Sequence, residues 1–298
     1  MISRVTNHTQ MRAAQRNLQE NMNQLAKLQD RAGTLKAITR PSDDPTGAAN
    51  SMKVQADIRA VEQYGRNVDD GSGWLDTVEG ALSASTKTMN KIRDLTVQGA
   101  NDGSLSTAAK EAIALELEGL CKELLGQANT SYLGRSVFAG NSDAGVAIGG
   151  APAYAFTGAP GSTVERRISP DSTVRVDADG GAVFGANAGA GSVFTLINNI
   201  AQDLRGGVNV GARLAEIDTR MGAMTAEHTR VGAQHAQIGR AEEALMEESG
   251  LLEAQRAAIE DLDLGQVILD LKLQEVTYQS ALAVTARVLQ PTLMDFLR

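Results

Sequence analysis

This sequence predicts a mainly α-helical protein, an elongated helical rod. Its N- and C-terminal segments form a coiled coil, and its middle carries a small β-rich insertion domain. Three observations carry the prediction. Apolar residues recur at alternating steps of three and four along most of the chain, the spacing that lines one face of a helix. The six prolines are Pro41, Pro45, Pro152, Pro160, Pro170 and Pro291; the two long proline-free spans between them can hold long helices. Aromatic residues make up 3% of the chain against 42% hydrophobic residues in total. Alanine and leucine thus carry most of the apolar content, which suits thin helix–helix packing.

The last segment, 262–298, sets the organisation. Leu264, Ile268, Leu271, Tyr278, Leu282, Thr285 and Leu289 form a row interrupted only by Glu275. One amphipathic helix cannot bury such a stripe on itself. The expected partner is the opposite end, a helix over 9–38. There Ala14, Leu18, Met22, Leu25, Ala32 and Leu35 lie near one face, and Leu28 and Ile38 flank it. A single thin pair leaves apolar surface over, so both ends are read as subunit contacts. The interface residues expected are Leu18, Met22, Leu25, Leu28, Leu35, Leu264, Ile268, Leu271, Tyr278, Leu282 and Leu289.

The first helix is expected to stop at Arg40-Pro41-Ser42-Asp43-Asp44-Pro45, an inter-domain turn. Pro41 disfavours helix at Arg40. Ser42, Asp43 or Asp44 can cap the next helix, and Pro45 suits its first turn. Helix is expected over 46–65, followed by a regular row from Leu75 through Val78, Leu82, Ser85, Met89 and Ile92 to Thr96. Asn101-Asp102-Gly103 reads as a turn and Ser106 as the cap of a helix ending near Asn129. Over 141–191 glycine and alanine are dense, with short β-like runs at 154–157, 163–169 and 173–177 and a turn at Asp179-Gly180-Gly181. The glycines from Gly185 to Gly191 lack a phosphate-loop fingerprint and read as a linker.

Helix resumes at 193–204. A long seam follows: Val210, Leu214, Ile217, Met221, Met224, His228, Val231, His235, Ile238, Glu242 and Leu245, continuing to Ile259. The apolar row then shifts by one residue, which signals a change of partner surface near 257–264. The expected domains are 1–41 with 260–298, a terminal coiled-coil polymerisation domain; 42–140 with 192–259, a helical rod; and the outer insertion 141–191.

Composition narrows function by exclusion. A net charge of −8 and a pI near 5.0 disfavour nucleic acid, whose phosphates need a basic face. No run of about 18 apolar residues forms a membrane span. The N-terminus lacks an apolar signal-peptide core, so the protein is expected either to stay in the cytoplasm or to leave by a route that needs no cleaved signal. The histidines His228 and His235, one heptad apart, read as polar residues setting register, because helical zinc pairs usually stand four apart. Cys121 reads as a small buried residue, Asp43-Asp44 as caps and Trp74 as packing. Nothing calls for a cofactor, a metal or an enzyme.

At Arg40-Pro41-Ser42-Asp43-Asp44-Pro45 the sequence resembles the bacterial flagellin superfamily. Gln63-Tyr64 with Asn67, Trp74-Leu75, Glu79 with Ala81-Leu82, and Arg93-Asp94-Leu95 with Val97-Gln98 stay in register with that pattern. So do Ala128-Asn129-Thr130, Phe138-Ala139-Gly140 and, at the other end, Tyr278-Gln279-Ser280-Ala281-Leu282. The resemblance covers about 1–140 and 205–298. Within the superfamily the chain is most similar to the hook–filament junction branch, hook-associated protein 3. The opening Ile2-Ser3-Arg4-Val5-Thr6, the pairs Val183-Phe184 and Val193-Phe194, and the tail Leu293-Met294-Asp295-Phe296-Leu297 carry that likeness. Ala37, Thr39 and Pro291 depart from the pattern.

The resemblance implies a structural component of the bacterial flagellum. It would pass briefly through the cytoplasm, leave by type III export, and form a self-assembled helical ring between the first hook-associated protein and the flagellin filament. It also implies an export chaperone, for which Leu264, Ile268, Leu271 and Leu282 are the expected docking face. A short filament flagellin and a secreted coiled-coil adaptor or adhesin are the alternatives.

Overall fold

Proline and glycine chemistry decides where the helices stop. In the computed structural model, the structure describes residues 7–101, 105–159, 161–185 and 191–289. The expectations for 2–6, for Asp102-Gly103, for the glycine run 186–190 and for the tail after Leu289 lie outside them. The described elements are α1 (Asn7–Thr34), α2 (Pro45–Ala100), α3 (Thr107–Ala128), the short strands β1 (Ser131–Tyr132) and β2 (Arg135–Ser136), β3 (Glu165–Ser169) and β4 (Ser172–Arg175), then α4 (Val193–Arg205), α5 (Leu214–Glu260) and α6 (Leu264–Leu289). This is the helical fold with a small strand region that the periodicity predicts.

Several local details differ from expectation. The first helix ends at Thr34, not near Arg40. Leu35 takes a positive φ of 56° and its N–H closes on the Arg31 carbonyl, a helix-ending conformation usually left to glycine. The second helix has no gap between 65 and 75; α2 is continuous for 56 residues. Gly71 and Gly73 are tolerated inside it because other elements come close. A Cβ on Gly71 would lie 2.7 Å from Ile238 Cδ1, and one on Gly73 would lie 2.6 Å from the Tyr132 hydroxyl. Residues 154–157 supply only one bridge, Ile148 with Phe156, instead of a strand. Gly181–Gly185 is a single π-helical turn, where a plain turn was expected at 179–181. The β1–β2 hairpin, turning through Leu133 and Gly134 at positive φ, was not foreseen. Ser106 does cap α3, its side chain accepting from the Ala109 N–H.

The chain divides into two compact units, 1–60 with 248–298, and 61–247. Within 61–247 the core is helical and aromatic. Leu75, Val78, Leu82, Met89 and Ile92 of α2 are fully buried, as are Ile217, Met224, Val231 and Ile238 of α5. Phe138, Phe184, Phe194 and Tyr154 form a chain of ring contacts at 5.3 to 5.9 Å. Buried Trp74 packs on Tyr132, with the Arg135 and Arg166 guanidinium groups over its ring. The β3–β4 hairpin is tied to α2 by the Arg166–Asp70 ion pair at 2.6 Å and by Asn67, whose amide donates to the Arg167 carbonyl. Cys121 is buried, and burial pushes its thiol up to about 11, which leaves it an inert packing residue.

Candidate assembly interface

Within 1–60 with 248–298, α1 and α6 pack side by side. Lys36 bridges Asp261 in antiparallel register, and the Gln274 amide donates to the Asn21 carbonyl and side-chain oxygens at 3.2 and 3.3 Å. Numbers fall along α1 as they rise along α6, so the pair is antiparallel. The covered row on α1 is Ala14, Leu18, Asn21, Leu25, Leu28 and Ala32; on α6 it is Val267, Leu271, Gln274, Tyr278, Ala281 and Thr285. Both rows step by four and three, as a coiled-coil seam does.

The expected interface residues therefore divide. Leu18, Leu25, Leu28, Leu271 and Tyr278 are half-buried in the pair, whereas Met22, Leu35, Leu264, Ile268 and Leu282 are exposed. For Leu289 only the backbone is described. Val267, the one buried apolar residue among the described side chains of α6, was missed. The reason is polar occupancy: Asn21 and Gln274 fill seam positions and hydrogen-bond to each other, so a count of apolar residues alone slides to the neighbouring row.

The far side of α6 is apolar as well. At about 100° per residue, Leu269, Leu273, Val276 and Val284 point away from α1. They are 71%, 71%, 62% and 61% exposed. Exposed Lys272 and Ser280 stand among them, so the outward side is an apolar strip interrupted by polar residues.

The turn that joins α1 to α2 is held by its own polar groups. Asp44, one of three candidate caps, is the one used: its Oδ1 accepts from the Thr46 and Gly47 N–H groups at 3.1 and 2.9 Å. Pro45 opens α2 as expected. Asp43 instead accepts from Thr39 and pairs with Lys27 at 3.5 Å. Burial raises its carboxyl, but the Thr39 hydrogen bond and the Lys27 charge outweigh that and leave it below the usual range. Glu260, unflagged in the sequence, is the hub beside this turn. Its Oε1 accepts from Ser51 at 2.5 Å and Gln55 at 2.6 Å, and its carbonyl accepts from the Ala37 N–H. The Ser51 hydrogen bond, helped by the Gln55 bond, outweighs the upward push of partial burial and holds its carboxyl low.

The bacterial flagellin N-terminal helical region matches residues 5–143 and the bacterial flagellin C-terminal helical region matches 214–297, about three quarters of the chain. The chain belongs to the bacterial flagellin family. Among its relatives, the flagellin of Halalkalibacterium halodurans is 23% identical over 277 residues, 93% of this chain and 92% of that one. Solved structures share its fold. FlgL of Xanthomonas campestris has a TM-score of 0.62 at 17% identity, covering 68% of this chain and 99% of that one. The flagellar junction protein FlgL from Legionella pneumophila has a TM-score of 0.57 at 16% identity, covering 71% and 99%. The protein is thus a structural component of the bacterial flagellum. No helix among the described residues is long and apolar enough to cross a membrane.

Proposed function

We propose that this flagellin-family protein forms the junction between hook and filament, assembling with copies of itself through its terminal helices. The observation that carries self-assembly is α6, packed on α1 along one side and carrying exposed Leu269, Leu273, Val276 and Val284 on the side facing away. A neighbouring subunit is the natural cover for the second side. Its partners at the two ends of the ring would be the first hook-associated protein and the flagellin filament. Before export an export chaperone would shield the same α6 surface in the cytoplasm; the exposed Leu264, Ile268 and Leu282 lie at its edge, while Leu271 is turned toward α1. The expected division into a terminal polymerisation domain, a helical rod and an outer insertion at 141–191 fits this role.

Support for the junction over the filament comes from fold: almost the whole of the FlgL chains superposes on this one. A second reading, a short filament flagellin, has its own support in the end-to-end sequence match to a flagellin of similar length. Immunogold labelling of isolated flagella separates the two. A single band at the distal end of the hook is the expected result, and label spread along the filament would replace the junction reading with the filament one.

A further inference from the structure

Within 61–247, α2 and α5 run antiparallel, as the pairs Arg93–Asp218, Glu79–His228 and Asp76–His235 require. Asp76 and Glu79 stand one turn apart and share a face of α2. His235 Nε2 lies 2.9 Å from Asp76 Oδ1. One ligand atom from each of Asp76, Glu79 and His235 lies within 4.8 Å of the other two. His228 Nε2 stands 3.8 Å from Glu79 Oε1. Among the described residues, no lysine or arginine pairs with either carboxylate.

A hydrogen-bonded histidine needs one carboxylate. A second one within reach of the same ring nitrogen repels the first until a cation joins them. We infer that Asp76, Glu79 and His235 form a divalent transition-metal site that clasps α2 to α5, with zinc as the best-suited ion. Bond lengths of about 2.0–2.2 Å in tetrahedral geometry put neighbouring ligand atoms about 3.3–3.6 Å apart, so the Asp76–His235 pair, now 2.9 Å apart, opens by about half an ångström to take the ion. Glu79 is exposed, so a side-chain rotation brings it in without moving backbone. His228 flanks it as an outer partner that orients the carboxylate. One imidazole with two carboxylates suits zinc, nickel or copper better than magnesium or calcium, and the open side leaves room for water to complete the coordination. The histidines thus do more than set helix register. They stand at the edge of the seam, half-buried, while Glu227 and Gln234 occupy the adjoining inner row.

The ligands come from helices far apart in sequence, so only the folded chain assembles the site, and metal uptake raises folded stability. The test is calorimetric titration of the untagged full chain with zinc chloride in a non-chelating buffer, alongside thermal melts. Saturable uptake of one ion per chain with a dissociation constant of about 1–10 μM, together with a rise in melting temperature, is expected. His235→Ala and Glu79→Gln should each weaken uptake at least about tenfold, with circular dichroism showing unchanged helix content. No saturable uptake up to about 1 mM zinc, equal uptake of magnesium, or undiminished zinc binding by folded His235→Ala would overturn the site.

Discussion

Leu35 is where a single residue works against its own chemistry. Its positive φ ends α1 in a conformation that costs a non-glycine residue about 1 kcal/mol, and its side chain is 57% exposed, so little packing is recovered. Leu35→Gly should raise stability by about 1 kcal/mol, read as a higher urea midpoint at unchanged slope; a lower midpoint would mean that the leucine side chain carries packing in the free chain. Residue roles were unevenly legible in the sequence. A cap among Ser42, Asp43 and Asp44 and the Pro45 start follow from turn chemistry, although only the structure picks Asp44, and Ser106 follows from its position before a helical row. Glu260 gave no signal, because a lone glutamate at a helix end reads as solvated until Ser51 and Gln55 are brought to it from α2. Trp74 showed as packing, but its two overlying arginines come from the two hairpins beyond α3 and are not spaced in any local pattern.

At the scale of elements, helix identity was legible and helix phase was not. The rows for α1, α5 and α6 each took the right period, then one of the two alternating positions slid by a residue. In all three at least one true position holds a polar group, Asn21, Glu227 and Gln234, and Gln274, although in α6 the row also slid past Val267 and Ala281. Coiled-coil seams accept such residues where they find partners, and an apolar count steps around them. The α2 gap failed for a related reason, since Gly71 and Gly73 weaken helix locally while Ile238 and Tyr132 fit the space they leave. The strands are too short to be seen from alternation, and only β3 and β4 fell within expected runs. The two sides of α6 yield a paired prediction. Leu273→Glu with Val276→Glu should preserve monomer helix content and abolish assembly. Leu271→Glu, placed toward α1, should lower helix content of the monomer itself by opening the pair, at about 2–4 kcal/mol. Circular dichroism with sedimentation distinguishes them, and assembly by the double variant would remove the outer side of α6 from the interface.

For the whole molecule, burial is distributed unequally between the two units. Among the described residues of 1–60 with 248–298, the buried apolar side chains are Val54, Leu252 and Val267, whereas 61–247 holds the aromatic cluster and most of the aliphatic core. Stability follows buried area, so the thin unit should open first. Limited proteolysis of the dilute protein should cut within 1–60 and 248–298 and leave 61–247 resistant. Early cleavage inside 61–247 would contradict that order.

The doubly greasy α6 makes solubility a matter of dose. At low dose the lone chain hides one flank and wets the other. As dose rises, any second flat aliphatic surface, including a detergent micelle or a plastic wall, competes for the same strip. Mild surfactant should thus act on this protein as a decoy neighbour, delaying polymer growth while leaving the aromatic centre untouched.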